Sequence, residues 1–528
     1  MSAPVHRYHD GTKHQFHRFA RSLGYLDWAS QPSPFRSFAG ADAVPLFPRP
    51  GAPVTVIGDV LRHALGLSAW KQFGASRWAL RVNPSSGNLH PTEAYVVAGE
   101  TPGGGGAPGV FHYAPDRHAL ERRCAFGVAA WQAAVADPND WLLVLTSIHW
   151  REAWKYGERA FRYCQHDMGH AIAAVAMAAA VAGWRATLLP DWSHADIAGL
   201  AGLERDQDYV EAEREEPGCV LVMSRESRES VVDSSQSLVE SRVVSREALL
   251  TGVRAGQWTG AASQLSEDHT TWSFIDEVAA ATRDPGRPAG EVPPIQLPNH
   301  PTSQLPNRAL LLQRRSAVAF DGVSTIGRAA FLAMLARVMP QAAPPWDALW
   351  WGARVHLAIF VHHVDDMVPG LYLLVRDPSA LDRLRAACGR EFLWAPAGDG
   401  LPLYLLVSGD ARAMARRLSC DQDIAADGYF SLGMIAEFDA SLQAWGPSFY
   451  RHLFWESGVV GQQLYLEAEA AGARATGIGC FYDDPVHEVL GITDHSFQSL
   501  YHFTVGIPVE DSRLTTEPGY AWELGAST

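Results

Sequence analysis

The sequence predicts an α+β protein made of two tandem copies of one unit, packed against each other as an intrachain pseudo-dimer. Three observations lead there. The chain has 528 residues, and domains run to roughly 100–200 residues, so at least two cores are expected. The order helix, strand, hairpin strand, central strand, long helix, last strand is read twice along the chain. Each copy also holds a helix rich in small residues, at 171–184 and 458–472, which suits close approach of one helix to another.

Residues 1–50 read as irregular, because prolines at 32, 34, 45, 48 and 50 interrupt any helix. Apolar residues at helical spacing predict a helix over 60–70, and the β-branched, aromatic run 94–97 predicts a strand. Strands follow at 111–114, 141–146 and 217–223, with a helix over 158–183 between the last two. The Ala-rich part of that helix is too short to span a bilayer and is flanked by His170 and Arg185. The glycine-rich stretch 101–108 lacks the Lys-Ser/Thr ending of a phosphate loop and reads as a loop tip. Ser/Glu repeats and then prolines predict a surface linker over 224–305, part helical, so the division is 1–223, 224–305 and 306–528. The second copy then reads as a helix carrying Arg314 to Ser316, a helix over 328–339, strands at 355–361, 370–375 and 401–407, the helix 458–472 and a strand at 501–505.

A net charge of −15 repels phosphate backbones and anionic membrane surfaces, so neither nucleic acid nor membrane is an expected partner. The first ten residues lack the apolar core of a signal peptide, and cytoplasmic residence is the default. Six cysteines are scattered without metal-binding spacing and are expected to be reduced. His166 and His170 share a helix face, but no third ligand is marked, so no metal site is expected.

The chemistry is expected in the turn from Arg81 to Glu93. Ser85, Ser86 and Asn88 lie between Pro84 and Pro91, which holds small polar groups in a turn suited to a planar, hydrogen-bonding ligand; an ordinary tight loop is the alternative. Arg314, Arg315 and Ser316, read at a helix N-terminus, would add fixed charge where an anion is already favoured, or form a solvated helix face. Gly477 and Gly479 allow backbone to approach a ring edge, or cap a helix. Lys155 is one of three lysines and adjoins Tyr156: an ammonium that can exchange protons beside a phenol that can donate to a developing anion, or a surface lysine beside a packed tyrosine.

Together with the Ser33 to Phe38 cluster, Arg159 to Tyr163 and Asp167 to His170, these motifs resemble the nitroreductase superfamily of flavin enzymes. Within it they look like SagB/ThcOx-type dehydrogenases with two tandem nitroreductase-like domains. In that family FMN lies at a dimer interface, an Arg-Arg-Ser helix start from one subunit holding the phosphate and a Pro-Ser-x-x-Asn turn from the other lining the flavin. Here the turn occurs only in the first half, since residues 339–346 lack its serines and asparagine, and Arg-Arg-Ser only in the second. The resemblance therefore implies one FMN site shared between the halves, held by Arg81, Pro84, Ser85, Ser86, Asn88, Arg314, Arg315, Ser316, Gly477, Gly479 and Arg513, the last matching a basic residue near the phosphate. Lys155 and Tyr156 match a pair implicated in proton removal by azoline-oxidising relatives. The function implied is an FMN-dependent oxidoreductase acting on a small or peptide-borne, azoline-like heterocycle. An NAD(P)H-dependent nitro or quinone reductase and a redox-inactive scaffold of a biosynthetic complex are the alternatives. A third glycine in register with Gly477 and Gly479 is missing, so a pyridine nucleotide would be a transient reductant. The expected form is a monomeric pseudo-dimer, with protein partners from a biosynthetic cluster and further oligomerisation left open.

Overall fold

A computed structural model of the chain describes residues 2–48, 54–225, 244–288 and 305–525. In the first half the strands Thr92–Ala98, Gly109–Ala114, Ala119–Ala125, Trp141–Ser147, Trp184–Leu188 and Glu216–Arg225 (β1 to β6) lie side by side as β3-β2-β1-β4-β6-β5. In the second half Val355–Val361, Gly370–Leu374, Leu401–Ser408, Phe430–Glu437, Arg474–Ile478 and Phe497–Gly506 (β7 to β12) lie as β9-β8-β7-β10-β12-β11. The permutation is the same, and every pairing is antiparallel. Both faces of β1 are covered: Ala94 and Val96 join one apolar cluster and Tyr95 and Val97 another. That is why the run reads as continuously apolar.

The long helices Ala160–Val181 and Phe449–Ala470 cross face to face between the sheets. A Cβ on Gly169 would lie 2.1 Å from the Trp455 carbonyl oxygen, and one on Gly458 2.3 Å from that of His166. Glycine is what lets the backbones touch. Around this crossing one apolar cluster runs from Val96 and Leu143 of the first half to Leu432 and Phe503 of the second, each large side chain contributing ~1.5–3 kcal/mol by burial. The Ala-rich stretch lies inside it, and among the described residues no helix is long and apolar enough to cross a membrane.

The two ends of the chain are exchanged between the halves. A helix, Ala3–Gly11, forms where irregular chain was expected; it lies on the second half, where the His9 ring is hydrogen-bonded to Tyr450 and Gln498. Just beyond it, the His14 N–H donates to Asp483 (2.8 Å). Conversely, Thr515–Pro518 pairs with Leu67–Phe73 of the first half, and the Tyr520 hydroxyl accepts from the Leu67 N–H (2.9 Å).

Other expectations shift. The helix read at 60–70 is Val56–Ala64, and Leu67 onward is strand, because Gly66 ends the helix with no room for a side chain (2.8 Å from Arg62 O). The central strand of the second half is β10, not the stretch 401–407, which lies towards the sheet edge as β9. The second long helix begins nine residues earlier than read, at Phe449. Within the stretch read as linker, residues 244–288 are built into the first half: Leu249, Leu250 and Val253 of Arg246–Arg254 are buried, as are Ile275 and Val278 of Ser273–Ala281. The Ser/Glu repeats at 226–243 and the prolines at 289–304 lie outside the described residues.

Candidate active site

The turn after the strand Ser76–Arg81 carries positive φ at Gly87 (60°), Asn88 (61°) and His90 (53°). Its polar side chains fix that shape. Asn88 Nδ2 donates to the Ala79 carbonyl (2.8 Å), and Ser85 Oγ accepts from the His90 N–H (2.7 Å). The Ser86 N–H and hydroxyl both donate to Asp167 Oδ1 (3.1 Å each). The turn is thus locked before any ligand arrives, and Pro84, Ser85, Ser86 and Asn88 form one wall of a cavity of about 470 Å³ between the halves. That volume lies within the ~300–1,000 Å³ common to ligand pockets.

Arg314, Arg315 and Ser316 form the facing wall. They follow the carboxyl end of a helix, Arg308–Gln313, rather than starting one, so the expected dipole contribution is lost. The amides of Arg315 and Ala317 are also committed, Arg315 N–H to Glu469 Oε1 (2.9 Å) and Ala317 N–H to the Ala475 carbonyl (3.0 Å). What remains is guanidinium charge. Arg314 Nε donates to Val82 O (2.8 Å) and Nη2 to Arg81 O (3.1 Å), while Arg315 Nη2 donates to Ser68 O (2.9 Å). Arg81 reaches the Pro34 carbonyl. Carbonyls leave the charge unneutralised, and burial pulls Arg81 and Arg315 each down to about 10 and lowers Arg314 as well. Arg314 Nη1 and Arg81 Nε are buried without a partner. Such a cluster calls for an anion.

Gly477 and Gly479 sit on and after β11. A Cβ on Gly477 would fall 1.9 Å from Tyr501 Oη, and one on Gly479 2.0 Å from Tyr163 Cε1. Their bareness lets backbone and three tyrosines meet at the cavity floor. Tyr465 Oη accepts from the Gly477 N–H (3.0 Å) and is hydrogen-bonded to Ser316 Oγ (2.9 Å), so it ties two walls together.

Lys155 and Tyr156 end the helix His149–Tyr156. A Cβ on Gly87 would lie 2.6 Å from Tyr156 Oη and 3.2 Å from Lys155 Nζ, so both groups converge on the turn; Tyr156 lines the cavity and Lys155 stands behind it. Two buried carboxyls lie nearby. Burial pushes Asp167 up to about 7 against hydrogen bonds from Ser85 and Ser86. Burial, then Asp167, push Glu152 well above the carboxylate range, opposed by Lys155. Burial, then Glu152, also keep the Tyr156 phenol protonated.

Arg513 falls outside this set. It pairs with Asp511 (2.8 Å) and its side chain is 71% exposed, because the loop turns outward before joining Thr515–Pro518; Asp511 and Leu514 line the cavity instead. The sequence reading missed Tyr163, Tyr465, Tyr501 and Asp167 as lining residues. Tyr163, Asp167 and His170 recur at one-turn spacing on one helix face, which was the available signal. His166 stacks on Tyr501 (4.0 Å between centroids), and His170 Nε2 lies 3.2 Å from Tyr501 Oη. Burial keeps both rings neutral. They are interface histidines.

The corresponding place in the second half is filled. Trp346 lies under the Arg376 guanidinium (4.7 Å), Arg376 pairs with Glu456, and the void they leave is about 10 Å³.

Two sheets of one topology and two crossing helices, with a cationic cavity between the halves, make up an α+β fold of the nitroreductase type. Residues 369–507, within the second half, match the model of the nitroreductase family. A protein from Anabaena variabilis assigned as a nitroreductase superposes over 96% of this chain and 100% of its own, with a TM-score of 0.68 at 20% identity. A Ralstonia eutropha protein of the same assignment covers 41% of this chain and 90% of its own (TM-score 0.28, 16% identity). The Escherichia coli microcin synthetase McbBCD complex covers 47% and 85% (TM-score 0.29, 15% identity). Among curated proteins no sequence matches.

Proposed function

We propose that the chain is an FMN-dependent oxidoreductase that holds one FMN between its halves and oxidises a small or peptide-borne, azoline-like heterocycle in the cytoplasm. The observation that carries the flavin reading is the pair of buried, unpartnered nitrogens Arg314 Nη1 and Arg81 Nε in the cavity walls. A phosphate on Arg314, Arg315 and Ser316 would neutralise the buried charge that the two arginines form with Arg81. The turn from Pro84 to Asn88 and the bare Gly477 and Gly479 would flank a flat ring. When bound, FMN would accept the hydride of the substrate. Tyr156, held protonated, donates a hydrogen bond to the substrate nitrogen, and the Asp167 carboxylate takes up the accompanying proton while the Lys155 ammonium behind Tyr156 holds the charge balance. The filled counterpart around Trp346 and Arg376 supports one site per chain.

The test is the purified protein's spectrum and its flavin affinity. Alanine at both Arg314 and Arg315 should weaken FMN binding by roughly 10²-fold, from two charge-assisted hydrogen-bonding groups lost. Lys155→Ala should keep the flavin and lose turnover of an azoline peptide. Unchanged affinity in the arginine pair would overturn the site. Rapid anaerobic bleaching by NAD(P)H would favour a nitro or quinone reductase, and a colourless protein that takes up no added FMN a scaffold within a biosynthetic complex.

A further inference from the structure

Cys420 and Cys480 are scattered in sequence but adjacent in space. Cys420 follows the helix Arg412–Leu418 in a left-handed conformation (φ 55°), and Cys480 lies on the loop just after Gly479. Their sulfurs are 2.9 Å apart, with His14 Nδ1 3.8 Å from Cys480 Sγ. Both are half-buried, whereas the other four cysteines are buried. Cys480 lines the cavity. Its loop is pinned by Arg159, which donates to the Gly479 carbonyl (3.3 Å), and by Gln422, which donates to the Cys480 carbonyl (3.1 Å). The ligand atoms of His14, Cys420 and Cys480 lie within 4.8 Å of one another, but two thiolates on one tetrahedral zinc stand about 3.8 Å apart. A spacing of 2.9 Å fits sulfur–sulfur chemistry better.

We propose that Cys480 and Cys420 act as attacking and resolving thiols that reduce a low-molecular-weight disulfide of the glutathione type. This stands apart from the flavin reading. Cys480 thiolate attacks one sulfur of the external disulfide, which expels one thiolate and leaves a mixed disulfide on Cys480. Cys420 gives up its proton to solvent and attacks Cys480 Sγ, expelling the second thiolate and closing the Cys420–Cys480 bond. Both expelled thiolates take up protons from solvent. The external disulfide gains two electrons and two protons, and the protein pair loses two electrons and two protons, one when Cys480 ionises and one from Cys420. Closure needs the sulfurs to move from 2.9 Å to about 2.05 Å. The division of roles follows from position: Cys480 lines the cavity, with His14 Nδ1 3.8 Å from its sulfur and Arg159 on the neighbouring Gly479 carbonyl, which together favour its thiolate, while Cys420 lies behind it.

The experiment treats the reduced full-length protein with oxidised glutathione, quenches by alkylation under native conditions, and reads intact mass and non-reducing peptide maps. The wild type should lose two hydrogens, retain no glutathione and give a peptide joining Cys420 to Cys480. Cys420→Ser should retain one glutathione on Cys480. Cys480→Ser and Cys480→Ala should react at Cys420 at least roughly tenfold more slowly, because burial still holds the Cys420 thiol protonated when its partner is gone. A wild type that forms no Cys420–Cys480 link, a Cys480 variant that reacts at the wild-type rate, or stoichiometric zinc that blocks alkylation of both sulfurs would each overturn the proposal.

Discussion

Asp167 and Glu456 are pseudo-symmetry mates: each is the eighth residue of its long helix, and each receives hydrogen bonds from the segment leading into the matching strand of its own half, β1 or β7. Their surroundings have diverged. Glu456 accepts from the Arg354 and Val355 amides and pairs with Arg376, which closes the second pocket. Asp167 accepts from the serines of the turn, Ser86 at 3.1 Å from both its N–H and its hydroxyl, and lines the open cavity. One duplicated position thus became a plug in one half and a titratable group in the other.

Asp167→Asn tests the second role. The folded-state value of Asp167, about 7, lies above its ordinary 3.8, so the folded protein binds this proton more tightly than the unfolded chain. Its ionisation therefore erodes stability as pH rises from 3.8 towards 7. Asparagine keeps the Oδ1 acceptor for Ser86 and removes the charge. We expect a gain of a few degrees in Tm at pH 8 and little change at pH 4, measured by differential scanning calorimetry; an equal shift at both would contradict the assignment.

Glu456→Gln should do the opposite. Removing one partner of a buried ion pair leaves the Arg376 guanidinium unneutralised, at a cost of about 3–5 kcal/mol. Denaturant unfolding should show it, and replacing Arg376 with Met in the same chain should recover part of the loss. If Glu456→Gln were neutral, the plug would not be an ion pair in solution.

The duplication, both long helices and the two cavity walls were legible in the sequence, because they rest on local pattern and on short motifs. Strand β10 escaped notice since Phe430-Ser-Leu-Gly-Met-Ile-Ala-Glu437 mixes Ser431, Gly433 and Glu437 into a fully buried run, and the more uniform 401–407 competed for the role. The early turns of Phe449–Ala470 carry Arg451, His452 and Glu456, which look like surface until their partners appear; Arg451 Nε donates to the Thr282 carbonyl, 169 residues away. The exchanged ends were illegible for the same reason, as their contacts join positions more than 400 residues apart. Arg314 was expected at the wrong end of a helix because Arg308–Gln313 is only six residues long, too short for periodicity to reveal.

Substituting either crossing glycine should loosen the two halves. Gly169→Ala puts a methyl 2.1 Å from Trp455 O, and Gly458→Ala puts one 2.3 Å from His166 O; both obstacles are helix backbone and cannot rotate aside. Overpacking of this kind costs about 1–3 kcal/mol or more. Because the cavity walls come from different halves, flavin affinity should fall alongside Tm. Gly199→Ala, inside the helix His194–Ala201 with no neighbour closer than 3.8 Å, is the control and should leave flavin affinity unchanged and Tm equal or slightly higher.

His112 sets an alkaline limit on stability. Its Nδ1 lies 2.9 Å from Glu121 Oε2 and its Nε2 2.9 Å from Glu93 Oε2, and only an imidazolium donates from both nitrogens. Burial opposes the charge, but the bonds to Glu121 and Glu93 outweigh it and raise His112 from 6.5 to about 9. Its contribution is therefore complete below 6.5 and lost as pH climbs through 9. Glu93 runs the other way: burial would raise it, yet Arg151 and then His112 hold it at about 2 against an ordinary 4.5, so its contribution is complete above 4.5 and lost as pH falls through 2. Between pH 4.5 and 6.5 both contributions are complete, a plateau for these two groups on which the Asp167 slope is superimposed. His112→Gln can donate to only one of the two glutamates, so its Tm should be lower across the plateau and should lack the decline between 6.5 and 9. A variant that kept the full alkaline decline would assign that limb to other groups.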